Sequence, residues 1–188
     1  GSLCGAWLGW VGFGWAGLAA WLVLAALVAA PAAAAEWPCG PDAAPCRVEL
    51  GRYHLAGPDD GRPEGAVIFL HGYQGSGRGV VANAGLVQAV TQAGYLLIAP
   101  HGREGSWNHV GSPAGHDRDE LAFLEQVRQD ASGRFDLAGK PVLVAGFSQG
   151  ASMVWDVACQ RAHAYTAFAA VAGAFWQPLP ESCPRRTC

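Results

Sequence analysis

Apolar residues in this chain gather in short unbroken runs separated by amphipathic stretches. The runs AVIFL at 66–70, YLLIA at 95–99 and VLVAGF at 142–147 contain no charged position, which is the pattern of strands covered on both faces. A further run at 167–173 has the same character. Between these runs, residues 80–93 read as a helix closed by Gly94, and residues 118–131 read as another with Leu121, Leu124, Val127 and Ala131 on one face. Asp117, with Glu120 three residues later, reads as an acidic capping box that sets the start of that second helix. A third helix runs from the turn after Phe147 to Ala162, and a strand or hairpin occupies 48–55. Strands alternating with helices predict an α/β fold with a mostly parallel sheet and right-handed crossovers.

The first 35 residues stand apart. They carry no charge, 18–30 is a compact apolar core, and Pro31 and an alanine run lead to an A-x-A-like site at 33–35. This reads as a secretory signal, and its length keeps an uncleaved membrane anchor open as the other reading. Residues 36–188 then form one domain, long enough for a real core. The net charge of −3 has dispersed signs and no basic stripe to argue for nucleic acid, and membrane contact is expected only through the N-terminal segment if it stays uncleaved. A monomer is expected.

Export would allow disulfides. Cys39 and Cys46 enclose a short Pro-rich loop, and Cys159 on the third helix is in reach of Cys183 after the last run, leaving Cys188 over. No cysteine or histidine pair has ligand spacing, so neither a metal nor a cofactor is expected.

The chemistry centres on Gly146-Phe147-Ser148-Gln149-Gly150, with a strand before it and a helix after it. This is the context of a nucleophile elbow, in which glycines flank a serine on a sharp turn. The run at 66–70 stops at His71-Gly72-Tyr73, where an early βα loop lends an N–H to a substrate oxyanion; Tyr73 is the expected donor. The N–H of Gln149, at the head of the helix, would be the second donor. His71 reads as a brace for its loop. The glycines at 72, 75, 77 and 79 do not form a phosphate cradle, because no Gly-Lys-Ser/Thr follows. Trp107, in the loop after 95–99, and Trp176, after 167–173, are expected to line the substrate site.

The base is harder to find. Elbow hydrolases place the acid and then the histidine after the serine. Only Asp156, His163 and Glu181 follow Ser148; the first two fall on or at the end of the helix leaving the elbow, and Glu181 lies in a Pro-rich tail. The other histidines all precede the serine. The sequence therefore predicts that the acid and the histidine lie outside this chain.

From Cys39 to Pro184 the chain resembles the secreted polyhydroxybutyrate-depolymerase-like esterases of the α/β-hydrolase superfamily, which include feruloyl and acetylxylan esterases. The residues that carry the resemblance are 67–72 with Gln74 and Gly75, 99–102 with Ser106-Trp107, Arg118-Asp119-Glu120-Leu121-Ala122-Phe123, 146–153, and Ala170-Val171-Ala172-Gly173. It implies an α/β-hydrolase sheet and ester hydrolysis through an acyl-enzyme on Ser148, with polyhydroxyalkanoate or plant-wall esters as the substrate class. Against that pattern, the five or six strands expected here fall short of a full sheet, so the last βα units are expected to be missing and the chain by itself inactive. A non-catalytic exported protein that binds hydrophobic esters or a partner in the same cleft is the competing reading. A soluble thioesterase or lysophospholipase-like hydrolase shares the chemistry but is disfavoured by the leader and the cysteines.

Overall fold

The computed structural model describes residues 34–184, and the expected leader and Cys188 lie outside or almost wholly outside that range. Six strands form one sheet in the order β1-β2-β4-β3-β5-β6: β1 (Cys46–Val48), β2 (Gly51–Ala56), β3 (Gly65–Leu70), β4 (Tyr95–Pro100), β5 (Val142–Phe147) and β6 (Ala167–Val171). The β1–β2 hairpin is antiparallel, and β2 joins β4 antiparallel. From β4 through β3 and β5 to β6 the pairing is parallel, as the unbroken apolar runs predict.

Alternation along β4 separates two layers. Leu96 and Ile98 enter the larger core with Phe123, Leu124, Val127, Met153, Val154 and Val157, which come from α3 (Glu120–Arg134) and α4 (Gln149–Arg161). Leu97 and Ala99 point the other way, into a smaller cluster with Val80 and Val81 of α1 (Gly77–Val81) and Leu86, Val87 and Val90 of α2 (Ala84–Gln92). On that second side, the part of the sheet built from β5 and β6 stays open: Phe147 and Val171, partners across the two strands, are 52% and 54% exposed.

Two sequence expectations shift. The single helix over 80–93 is two, because the Asn83 side chain accepts a hydrogen bond from the Leu86 N–H at 3.1 Å and starts a new helix in the middle of the pattern. The cap of α3 is Asp119 and not Asp117: its carboxylate accepts from the Ala122 N–H at 2.9 Å. Glu120 is then free to turn inward, where it meets Arg118 at 2.7 Å with both side chains buried. Burial on α3 follows Phe123, Leu124, Val127 and Ala131, with Leu121 at the margin.

Cys39 bridges Cys46 and Cys159 bridges Cys183, with Cα–Cα separations of 5.2 and 4.7 Å. No helix among the described residues is long and apolar enough to cross a membrane.

Candidate active site

β5 ends at Phe147, and the chain turns so sharply into α4 that Ser148 sits at φ 52°, ψ −120°, a conformation that an L-residue holds only when its surroundings enforce it. The enforcement comes from the flanking glycines. A Cβ on Gly146 would lie 2.6 Å from the Gly150 carbonyl, and one on Gly150 would strike the backbone oxygens of Leu70 and His71. The elbow is therefore wedged between α4 and the end of β3. Among the described residues no group hydrogen-bonds the Ser148 hydroxyl, which faces a cleft of about 620 Å³.

The loop after β3 runs alongside. A Cβ on Gly72 would come within 3.5 Å of the Ser148 Cβ, so the backbone at Gly72 borders Ser148. The Tyr73 N–H donates to no carbonyl among the described residues, and the Gln149 N–H is the first orphan amide of α4. Both residues line the cleft. At that helix end the peptide dipoles favour negative charge.

His71 ties this loop down. Its Nε2 accepts from the Gly102 N–H at 2.9 Å, which leaves the proton on Nδ1 to donate to the Gly72 carbonyl at 2.8 Å. Burial holds its pKa below the ordinary value, keeping the neutral tautomer that this arrangement needs.

Trp107 belongs to the same brace. The sequence placed it on the substrate wall, but it is fully buried: its indole N–H donates to the His71 carbonyl at 2.7 Å and its ring packs on the imidazole at 4.8 Å. An indole has one polar atom, and once that atom is satisfied inside, the large apolar ring gains more below the loop than in the cleft. Trp176 takes a different place. It lines the cleft, 42% exposed, with its N–H donating to the Ser152 hydroxyl at 3.1 Å and its ring meeting the edge of His109.

Three features escaped the sequence reading. The buried Gln149 side chain donates to Ser106 Oγ at 2.9 Å and to the Trp107 carbonyl at 3.3 Å, joining elbow and loop; a polar residue at a helix N1 position inside an apolar surround was the available signal. The Arg118–Glu120 pair anchors the same loop, since Arg118 also reaches the His101 carbonyl at 3.2 Å and Glu120 accepts from the Asn108 N–H at 3.3 Å. Asp156 accepts from the Val110 N–H at 3.2 Å, and burial raises its pKa. Besides Tyr73, Ser148, Gln149, Ser152 and Trp176, the cleft is lined only by Pro113, Ala172, Gly173 and Ala174, so among the described residues no histidine or carboxylate borders it. No described cluster of histidine, cysteine and carboxylates has the makings of a metal site.

Comparison with protein-family models and with curated proteins finds no match. Solved structures do match. Over 64% of this chain it is similar to an acetyl xylan esterase from Aspergillus awamori, at 19% identity and a TM-score of 0.51. It is likewise similar to a phospholipase/carboxylesterase from Dyadobacter fermentans over 73% of the chain, at 21% identity and TM-score 0.52. The fluorophosphonate-binding serine hydrolase F of Staphylococcus aureus matches over 65%, at 12% identity and TM-score 0.54. The chain spans 47%, 67% and 51% of those three proteins, so about half the length of two of them. The strand order, the crossovers and these likenesses together define an α/β-hydrolase fold, represented here in part.

Proposed function

We infer that this protein is a secreted serine hydrolase acting on carboxylic esters, polyhydroxyalkanoate or plant-wall and feruloyl-type esters, through an acyl-enzyme on Ser148. The observation that carries the reading is the Ser148 backbone, held at positive φ by the glycine wedge between two amides with no other partner. In the reaction the serine oxygen attacks the ester carbonyl, the N–H groups of Tyr73 and Gln149 receive the developing oxyanion, and the alcohol leaves with the proton. Trp176 forms a wall of the acyl or alcohol site. The acetyl xylan esterase and the carboxylesterase among the structures of like fold support esters as the substrate class. Two disulfides and the uncharged leader support export.

The proton from Ser148 needs an acceptor, and the described cleft holds none. Our reading assigns that step to an Asp and a His supplied by a longer form of the protein, with this 188-residue chain turning over little or no ester; loss of the triad partners removes roughly 10⁴ to 10⁶ in kcat. The test is p-nitrophenyl acetate hydrolysis by the 188-residue chain, by a form extended toward the C-terminus, and by its Ser148→Ala variant, with circular dichroism on each. The extended form should be active and Ser148→Ala inert but folded. Near-parental turnover by Ser148→Ala would sink the assignment, and turnover by the short chain within about tenfold of the extended one would show that the base is already present.

A further inference from the structure

A second cavity, of about 370 Å³, opens where the β1–β2 turn meets the loop after β4, bounded by Arg47, Arg52, His101, Arg103 and Arg118. Its charge runs against that of the chain. The protein carries 15 acidic and 12 basic residues. Four arginines nonetheless converge on this cavity, opposed along its walls by Glu49 and Glu104 alone. Arg118 is neutralised by Glu120. The guanidinium groups of Arg47, Arg52 and Arg103 make no ion pair or hydrogen bond among the described residues. Arg47 and Arg52 are moreover direct partners across the β1–β2 hairpin. Like charges in that position repel, a cost that a bound counter-charge would relieve. His101 senses the same field: burial first, then the neighbouring His54, Arg52, His71 and Arg118, lower its pKa to about 4. At neutral pH it contributes a ring and no charge.

We propose that this cavity is a binding site for an oxyanion group, a carboxylate or phosphate on a small ligand, gripped by Arg52 and Arg103 with Arg47 at the rim. The guanidinium fork matches the paired oxygens of either group, and Arg47, Arg52 and Arg103 are all exposed to a ligand arriving from solvent. The cavity shares the sheet edge of the serine. It sits at β2 and β4, and Ser148 follows β5, two to three strand spacings away in the order β2-β4-β3-β5, or about 10 to 14 Å. The loop that lines the cavity is joined to the loop beside the serine, the Gly105 carbonyl accepting from the Gln74 N–H next to Tyr73. If Ser148 is the esterase nucleophile, an ester with a carboxylate on its remote arm spans both sites; this link rests on the proposed function, and the pocket itself does not.

The test reads binding and not turnover. The 188-residue chain is titrated with glutarate and with inorganic phosphate, by calorimetry and by backbone amide shifts. We expect saturable binding with shifts centred on 47–52 and 101–104, at least tenfold weaker in Arg52→Gln/Arg103→Gln and unchanged in Arg161→Gln and Ser148→Ala. Tighter glutarate binding assigns the site to an acid-bearing ester; phosphate binding as tightly or more tightly assigns it to a free phosphate-type ligand. Failure of both probes to saturate by about 10 mM overturns the proposal, as does a double variant that binds like the parent. Because Ser148→Ala retains the pocket, loss of esterase activity and loss of the anion site remain separate results.

Discussion

β5 and β6 run side by side in register from Leu143↔Ala167 to Phe147↔Val171, and both are apolar, yet they sit in different surroundings. In β5, Val142 and Val144 are buried in the larger core, on the strand that α4 packs against. No residue of β6 is fully buried: Phe168 and Ala170 pack on the same core, while Ala167 and Val171 are exposed. An apolar run thus records a demand for burial on both faces, and neighbouring strands meet that demand unequally. The site inherits the difference. Ser148 follows the strand whose place is fixed by packing, whereas the wall at 172–176 hangs from the edge strand. That wall is fastened by the Trp155 N–H to the Gly173 carbonyl at 3.1 Å, the Trp176 bond to Ser152, and the Cys159–Cys183 bridge further along.

A carboxylate placed on each strand should separate the two most strongly. Val144→Asp buries an unpaired charge and should cost roughly 4 kcal/mol or more, enough to prevent folding, while Val171→Asp should stay within about 0.5 kcal/mol. Urea unfolding of both variants decides it, and equal losses would mean that the open face is covered in solution. Next in size is the fastening of the wall. Cys159→Ser with Cys183→Ser, at a sequence separation of 24, should lower stability by about 3 kcal/mol on the chain-entropy account. A red shift of tryptophan emission that disappears in a Trp176→Phe background would place the loss at the wall.

A third effect concerns acid. His71, His101 and His109 each have a folded pKa below the ordinary 6.5, chiefly through burial, and His101 lies at about 4. As pH falls below 6.5 the unfolded chain takes up protons first, so the stability that these groups contribute is complete above 6.5 and is lost between there and about 4. The urea midpoint should therefore decline between about pH 7 and about pH 4.5, with a shallower slope in His101→Gln. A flat profile in the parent would remove the argument.

Much of this was legible in the chain. The strands at 66–70, 95–99 and 142–147 follow from unbroken apolar runs, because a centre strand covered on both faces has no polar position to hide. The elbow was legible because its glycines are demanded by backbone collisions. What escaped was decided by competition between local choices. Asp117 and Asp119 both had the chemistry of a cap, and the second takes it while Glu120 turns inward to Arg118. Trp107 and Trp176 are both tryptophans in loops on the same sheet edge, and only the carbonyl of His71 within reach of one indole separates brace from wall.

Gln149 has a consequence for anyone redesigning the cleft. It lines the cleft while its amide side chain locks the segment 106–107 beneath the loop of His71. A library that randomises the residue after the serine would therefore sample collapsed loops far more often than altered selectivity. Diversity is better spent at Pro113 and Ala174, which line the same space and whose side chains make none of these bracing hydrogen bonds.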